Sequence, residues 1–162
     1  MGVEADDAFA AFVAARSRHL LQAAHLLTGD RHRAEDLLQT ALTRAYLRWD
    51  RIDEPEGYVR RTMVNAHTDW WRRRPWREQP VDEVPETPVA DGTASYDTRD
   101  AVLSALATLS PRQRAVVVLR YYEGLSEAEI AAQLGCSPGT VKSACSRAPE
   151  RLRALSVDGA LS

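Results

Sequence analysis

The chain has 162 residues, of which 44% are hydrophobic and 27% charged, and its formal net charge is −2. That length suits one ordinary domain or two small ones, and that balance belongs to a soluble globular protein. No purely apolar run, Ala115–Leu119 included, is long enough to cross a bilayer, and MGVEADD has neither the basic start of a signal peptide nor a Ser or Thr at Asp6 for myristoylation, so a cytoplasmic protein is expected.

In chain order, Phe9, Phe12, Val13, Leu20, Ala24 and Leu27 recur on one side of a helix that Thr28-Gly29-Asp30 ends. Asp30 caps a second helix, whose stripe is Ala34, Leu37, Leu38, Ala41, Leu42, Ala45 and Trp49. Pro55 opens a third, with Val59, Met63, Ala66 and Trp70 inward and Trp71 turned about 100° away, before Arg72-Arg73-Arg74 and Pro75. Connections of a few residues make these three helices a compact bundle, residues 1–74.

From residue 75 to 98 the periodicity fails. PWREQPVDEVPETPVADGTASYDT has four prolines and many acids, a composition that reads as a flexible acidic linker. It also explains the net charge: the linker carries one Arg against six acids, whereas residues 1–74 hold 12 Arg and 11 acids and residues 99–162 hold eight basic and six acidic residues. Both flanking domains can therefore present local basic faces.

Order resumes with Val102, Leu103, Leu106 and Leu109, then an S-x-x-Q capping box at Ser110–Gln113 with Pro111 at the first helical position, and the apolar Ala115–Leu119 run. LSEAEIAAQLGCSPGTVKSACSRAPERLR, from Leu125 to Arg153, reads as a helix-turn-helix. Ser126 and Glu129 form a second capping box, Gly135 supplies the left-handed stop, and Ser137-Pro138 starts the next helix. Val141, Cys145, Ala148 and Leu152 form its apolar stripe. Gly139, Thr140, Lys142, Ser143, Ser146 and Arg147 form a short, polar, basic face suited to a major groove. Pro149 falls 11 residues after Pro138, so the helix is expected to kink or end near Arg147, with a separate turn through Glu150 to Leu155. The expected fold is all-α: a three-helix N-terminal bundle and a C-terminal four-helix domain, residues 99–162, joined by the acidic linker.

Cys136 and Cys145 both lie in the helix-turn-helix without partners at metal-ligand spacing, and His19, His25, His32 and His67 form no ligand pattern. Neither a metal nor another cofactor is expected. No phosphate-cradling glycine loop, G-x-S-x-G or H-E-x-x-H occurs, which speaks against an enzyme.

AEDLLQTALTRAYLRW and EGYVRRTMVNAHTDWWRRR before the linker, with SPRQRAVVVLRYYEGLSEAEIAAQLGCSPGTVKSACSRA after it, together resemble the short extracytoplasmic-function branch of the bacterial sigma-70 family. The resemblance implies a non-enzymatic subunit that binds core RNA polymerase, reads the −35 and −10 promoter elements, assists promoter melting and directs initiation. It implies a polymerase contact around Asp36, Leu37, Gln39 and Leu42, with Thr40 where many members carry an acid. It implies −10 contacts from Asn65, at the position where members hold a flipped base, with Arg60, Arg61, Trp71, Arg72, Arg73 and Arg74 around it. For the duplex −35 element it points to Ser137, Thr140, Lys142, Ser143, Ser146 and Arg147; members often carry a long polar or basic side chain at Ala144, so one base contact is expected to be missing. Core polymerase, promoter DNA and an anti-sigma protein are the implied partners, with a monomer outside the holoenzyme. The alternative is a stand-alone helix-turn-helix regulator, which predicts dimeric binding to palindromic duplex sites; no dimerisation helix or receiver-like pattern accompanies it here.

Overall fold

The computed structural model describes residues 2–73 and 94–147, with side chains of the second stretch from Arg99 onward. All its extended elements are helical, and no strand occurs among the described residues, in agreement with the expected all-α class. By contacts the chain divides into two compact units, 1–69 and 70–162.

In the first unit, α1 runs Val3–Thr28 and α2 Arg31–Leu47, and α3, Pro55–Arg73, starts there and runs four residues past its boundary. Gly29 ends α1 in the left-handed region (φ 73°, ψ 4°), its N–H donating to the His25 carbonyl at 2.8 Å. One residue later the Asp30 carboxylate accepts the Arg33 N–H at 3.1 Å and starts α2. So short a connection folds α2 back on α1. Leu20, Ala23, Ala24, Leu26 and Leu27 of α1 are buried, as are Ala34, Leu37, Leu38, Ala41, Leu42 and Ala45 of α2. The alanines let the helices approach closely, and each fully buried leucine contributes about 1.5–3 kcal/mol.

Helix α1 begins at Val3, six residues before the first apolar position of the expected stripe. Its first turns are held from α2: the Tyr46 hydroxyl donates to the Asp6 carboxylate at 3.0 Å, and Phe9 packs edge-on against Tyr46 and Trp49 at 5.1 and 5.2 Å. Trp49 is not on α2 as expected. The helix stops at Leu47, and Trp49–Arg51 forms a 3-10 turn that brings the indole against Phe9 and Phe12.

Helix α3 buries Val59, Met63, Val64 and His67. Its inward row is therefore 59, 63, 67, which leads to Trp71 rather than Trp70. An ion pair between Arg16 and Glu56 links α1 to the start of α3.

The second unit contains α4 (Ala94–Ala107), α5 (Pro111–Val117), a π-helical segment (Val118–Tyr122), α6 (Glu127–Leu134) and α7 (Pro138–Ser146). Helical backbone at Ala94 means the expected linker does not extend to residue 98; its residues 75–93 lie outside the described residues. Both capping boxes form. Ser110 Oγ accepts the Gln113 N–H at 3.2 Å, Ser126 Oγ accepts the Glu129 N–H at 3.1 Å, and each partner side chain accepts in return from the cap N–H.

Ala115–Leu119 are all buried, so this five-residue stretch is covered on every side, with α7 against α5 and α6 against the π segment. The π segment itself is not signalled by the sequence. Glu123 N–H reaches the Val118 carbonyl at 3.1 Å, and Gly124 at φ 72° turns the chain into Leu125.

Candidate nucleic-acid interface

The α6–α7 hairpin is built from its ends inward. Gly135 leaves α6 at φ 66°, ψ 37°, and the Cys136 N–H returns to the Ala131 carbonyl at 3.1 Å. Ser137 Oγ then accepts the Thr140 N–H at 3.1 Å, and Pro138 occupies the first helical position. Ile130 and Ala131 of α6 and Val141, Ala144 and Cys145 of α7 are buried. Ala144 is 6% exposed, which overturns its assignment to the groove face. The inward stripe of a helix is over 100° wide, so 144 and 145 share it.

On the outer side, Ser137, Thr140, Lys142, Ser143, Ser146 and Arg147 are all exposed. Three of these hydroxyls have internal partners: Ser137 and Thr140 oxygens share a hydrogen bond at 2.9 Å, and Ser146 donates to the Ser143 carbonyl at 2.9 Å. The side chains of Lys142 and Arg147 make no hydrogen bond or ion pair among the described residues. The helix ends at Ser146 with Arg147 as its cap (φ −85°, ψ −8°), two residues before Pro149, as expected; Ala148, Leu152 and the turn from Glu150 to Leu155 lie outside the described residues.

Along α3, Arg61, Asn65, Asp69, Trp70, Arg72 and Arg73 are exposed and Arg60 is half-buried; Arg74 lies outside the described residues. The two tryptophans meet edge-on at 5.3 Å, and their exposure is the reverse of that expected. Trp70, assigned to the core, is 41% exposed, and Trp71, assigned to stacking, is half-buried. The expected stripe ran through Ala66; His67, 4% exposed, carries the inward row to position 71 instead.

On α2, Asp36, Gln39, Thr40 and Thr43 share the exposed side. Leu37 and Leu42, expected as contact residues, lie on the buried side of α2.

The chain matches two family descriptions: "Sigma-70 region 2" over residues 12–77 and "Sigma-70, region 4" over residues 99–152. It is 45% identical over 148 residues, 90% of this chain and 84% of the relative, to the RNA polymerase sigma-E factor of Streptomyces coelicolor. The chain belongs to the extracytoplasmic-function branch of the sigma-70 family. The sigma factor SigM of Mycobacterium tuberculosis is 38% identical over 144 residues, 85% of this chain and 71% of that one. Among solved structures, the sigma factor RpoE of Bartonella quintana, in complex with the anti-sigma factor NepR, superposes with a TM-score of 0.67 at 27% identity, covering 91% and 95% of the two chains. CnrH, in complex with the cytosolic domain of CnrY, gives a TM-score of 0.61 at 26% identity, covering 95% and 90%.

This sigma factor is thus a non-enzymatic transcription-initiation subunit that binds core RNA polymerase and promoter DNA, and the stand-alone regulator is not favoured. No helix among the described residues is long and apolar enough to cross a membrane.

Proposed function

We propose that the two units divide promoter reading between unpaired and paired DNA. The outer face of α7 reads the −35 element as duplex. The observation that carries this is the complete partition of α7, with Val141, Ala144 and Cys145 inward and Thr140, Lys142, Ser143, Ser146 and Arg147 outward. Lys142 and Arg147 reach guanine edges or phosphates, and a good bidentate base contact discriminates by about 1–3 kcal/mol.

The outer face of α3 takes the −10 element as single strand. An Asn65 amide donates and accepts at once, which suits the edge of an unstacked base. Arg61, Arg72 and Arg73 follow the backbone and position it, Arg60 and Arg74 flank them, and Trp70 replaces Trp71 as the stacking platform. Because only the open state offers unpaired bases, their capture shifts the duplex toward opening without ATP. Asp36 and Gln39, three residues apart on the exposed side of α2, meet the polymerase coiled coil, with Thr40 beside them in place of an acid.

The protein works in the cytoplasm, where polymerase and promoters are, and is monomeric outside the holoenzyme. A polypeptide anti-sigma partner is part of this reading, since a solved relative was captured with one. Run-off transcription with sigma-free core polymerase and a promoter library is the direct test. A stable complex with core and a defined set of transcripts is expected; neither appearing would refute the proposal.

A further inference from the structure

Twenty of the 21 basic side chains are arginine, and the single lysine of the whole chain is Lys142. It stands on the exposed face of α7, a helix with no acidic residue, and its side chain makes no hydrogen bond or ion pair among the described residues. Guanidinium groups stay protonated and do not accept acyl groups under conditions where an aliphatic amine does. The side-chain amine chemistry of the protein is therefore confined to one atom, and that atom lies in the face that reads DNA.

We propose that Lys142 is an acyl-acceptor site through which an activated acyl donor, an acyl phosphate or an acyl thioester, switches off −35 reading. This rests on α7 being the −35 reader. In its unprotonated form, Nζ attacks the acyl carbonyl. The C–N bond forms, the C–O or C–S bond breaks, and phosphate or thiolate leaves with the electron pair, while the amine proton passes to solvent or to the leaving group. The product is a neutral amide. It has lost the charge that meets a phosphate and two of the three N–H donors that meet a base edge. The exposed surroundings, chiefly Thr140, Ser143 and Ser146, leave room for an acetyl group without disturbing the buried Val141, Ala144 and Cys145.

The full chain is treated with acetyl phosphate in one arm and acetyl-coenzyme A in another, with and without duplex −35 DNA, and modified residues are mapped by mass spectrometry. Each preparation is then assembled with core polymerase and assayed on a −35-dependent promoter. Acetylation of Lys142 by either donor, protection by the duplex, and a roughly 5- to 150-fold fall in promoter affinity are expected. Lys142→Arg, compared before and after treatment against its own untreated activity, is expected to keep its affinity; since its α-amine still reacts, it separates N-terminal acetylation from the effect at Lys142. Failure of both donors to modify Lys142 overturns the proposal, as does a fully acetylated Lys142 with unchanged promoter affinity. Arg147→Ala separates that second outcome from failure of the underlying reading. If it too leaves −35 dependence intact, α7 is not the reader; if it weakens binding while acetylation does not, only the acyl switch falls.

Discussion

The two units present their outward residues by different means. In the first, Arg61, Asn65, Trp70 and Arg72 are spread along a helix of 19 residues, α3, whose inward row packs into a unit built on the longer α1 and on α2. In the second, the exposed Thr140, Lys142, Ser143 and Ser146 sit on a helix of nine residues, α7, too short to persist alone in water. It is held by Ser137 and Pro138 at its start, and by small side chains that let it lie close to α6 and α5. An extended row suits a strand that has left its duplex, and a compact, end-capped helix suits a groove. The contrast teaches that the same exposed polar composition is supported by bulk packing in one unit and by capping and close approach in the other.

The largest expected effect comes from breaking the second arrangement at its closest approach. Ala144→Arg puts a charge where a methyl group is buried, and is expected to cost about 2 kcal/mol or more in urea denaturation, with weaker −35 binding. Tighter −35 binding at unchanged stability would return position 144 to the groove face.

The first arrangement is sharpened by its two tryptophans. Trp70→Ala is expected to remove one stacked base, roughly 1–3 kcal/mol, from binding of a single-stranded −10 oligonucleotide. Trp71→Ala is expected to lower thermal stability more than strand affinity. The reverse pattern would restore the face assignment that the sequence suggested.

The smallest effect concerns the exposed edge of the first unit. The Tyr46 phenol is raised above 10.0, first by its hydrogen bond to Asp6 and then by that carboxylate's charge. A folded-state value above the unfolded one contributes stability that is fully present below pH 10 and lost as pH rises through the raised value. Chemical denaturation of the protein and of Tyr46→Phe should therefore show a small gap at neutral pH that closes in strong alkali; a gap that widens there would contradict the hydrogen bond.

Local chemistry was the most legible part of the fold. The boxes at Ser110–Gln113 and Ser126–Glu129, the left-handed stops at Gly29 and Gly135, and the Ser137-Pro138 start all involve neighbours within a few residues, and all form. What the sequence concealed depended on distant partners. Val3–Ala8 is too polar to announce a helix, and becomes one with Asp6 and Phe9 held by Tyr46 and Trp49. His67 looks polar in one dimension and is buried in three, which exchanged Trp70 with Trp71.

The division of labour between α3 and α7 is tested most directly by measuring closed-complex binding and −10 strand opening on the same holoenzyme preparations. Permanganate reactivity of −10 thymines reports the opening. The account predicts that Asn65→Ala lowers the opened fraction while leaving closed-complex affinity intact. It predicts that Lys142→Ala and Arg147→Ala each weaken closed-complex binding by roughly 5- to 150-fold, with opening of the bound fraction preserved. Equal loss of opening by all three variants, with duplex binding untouched, would contradict it.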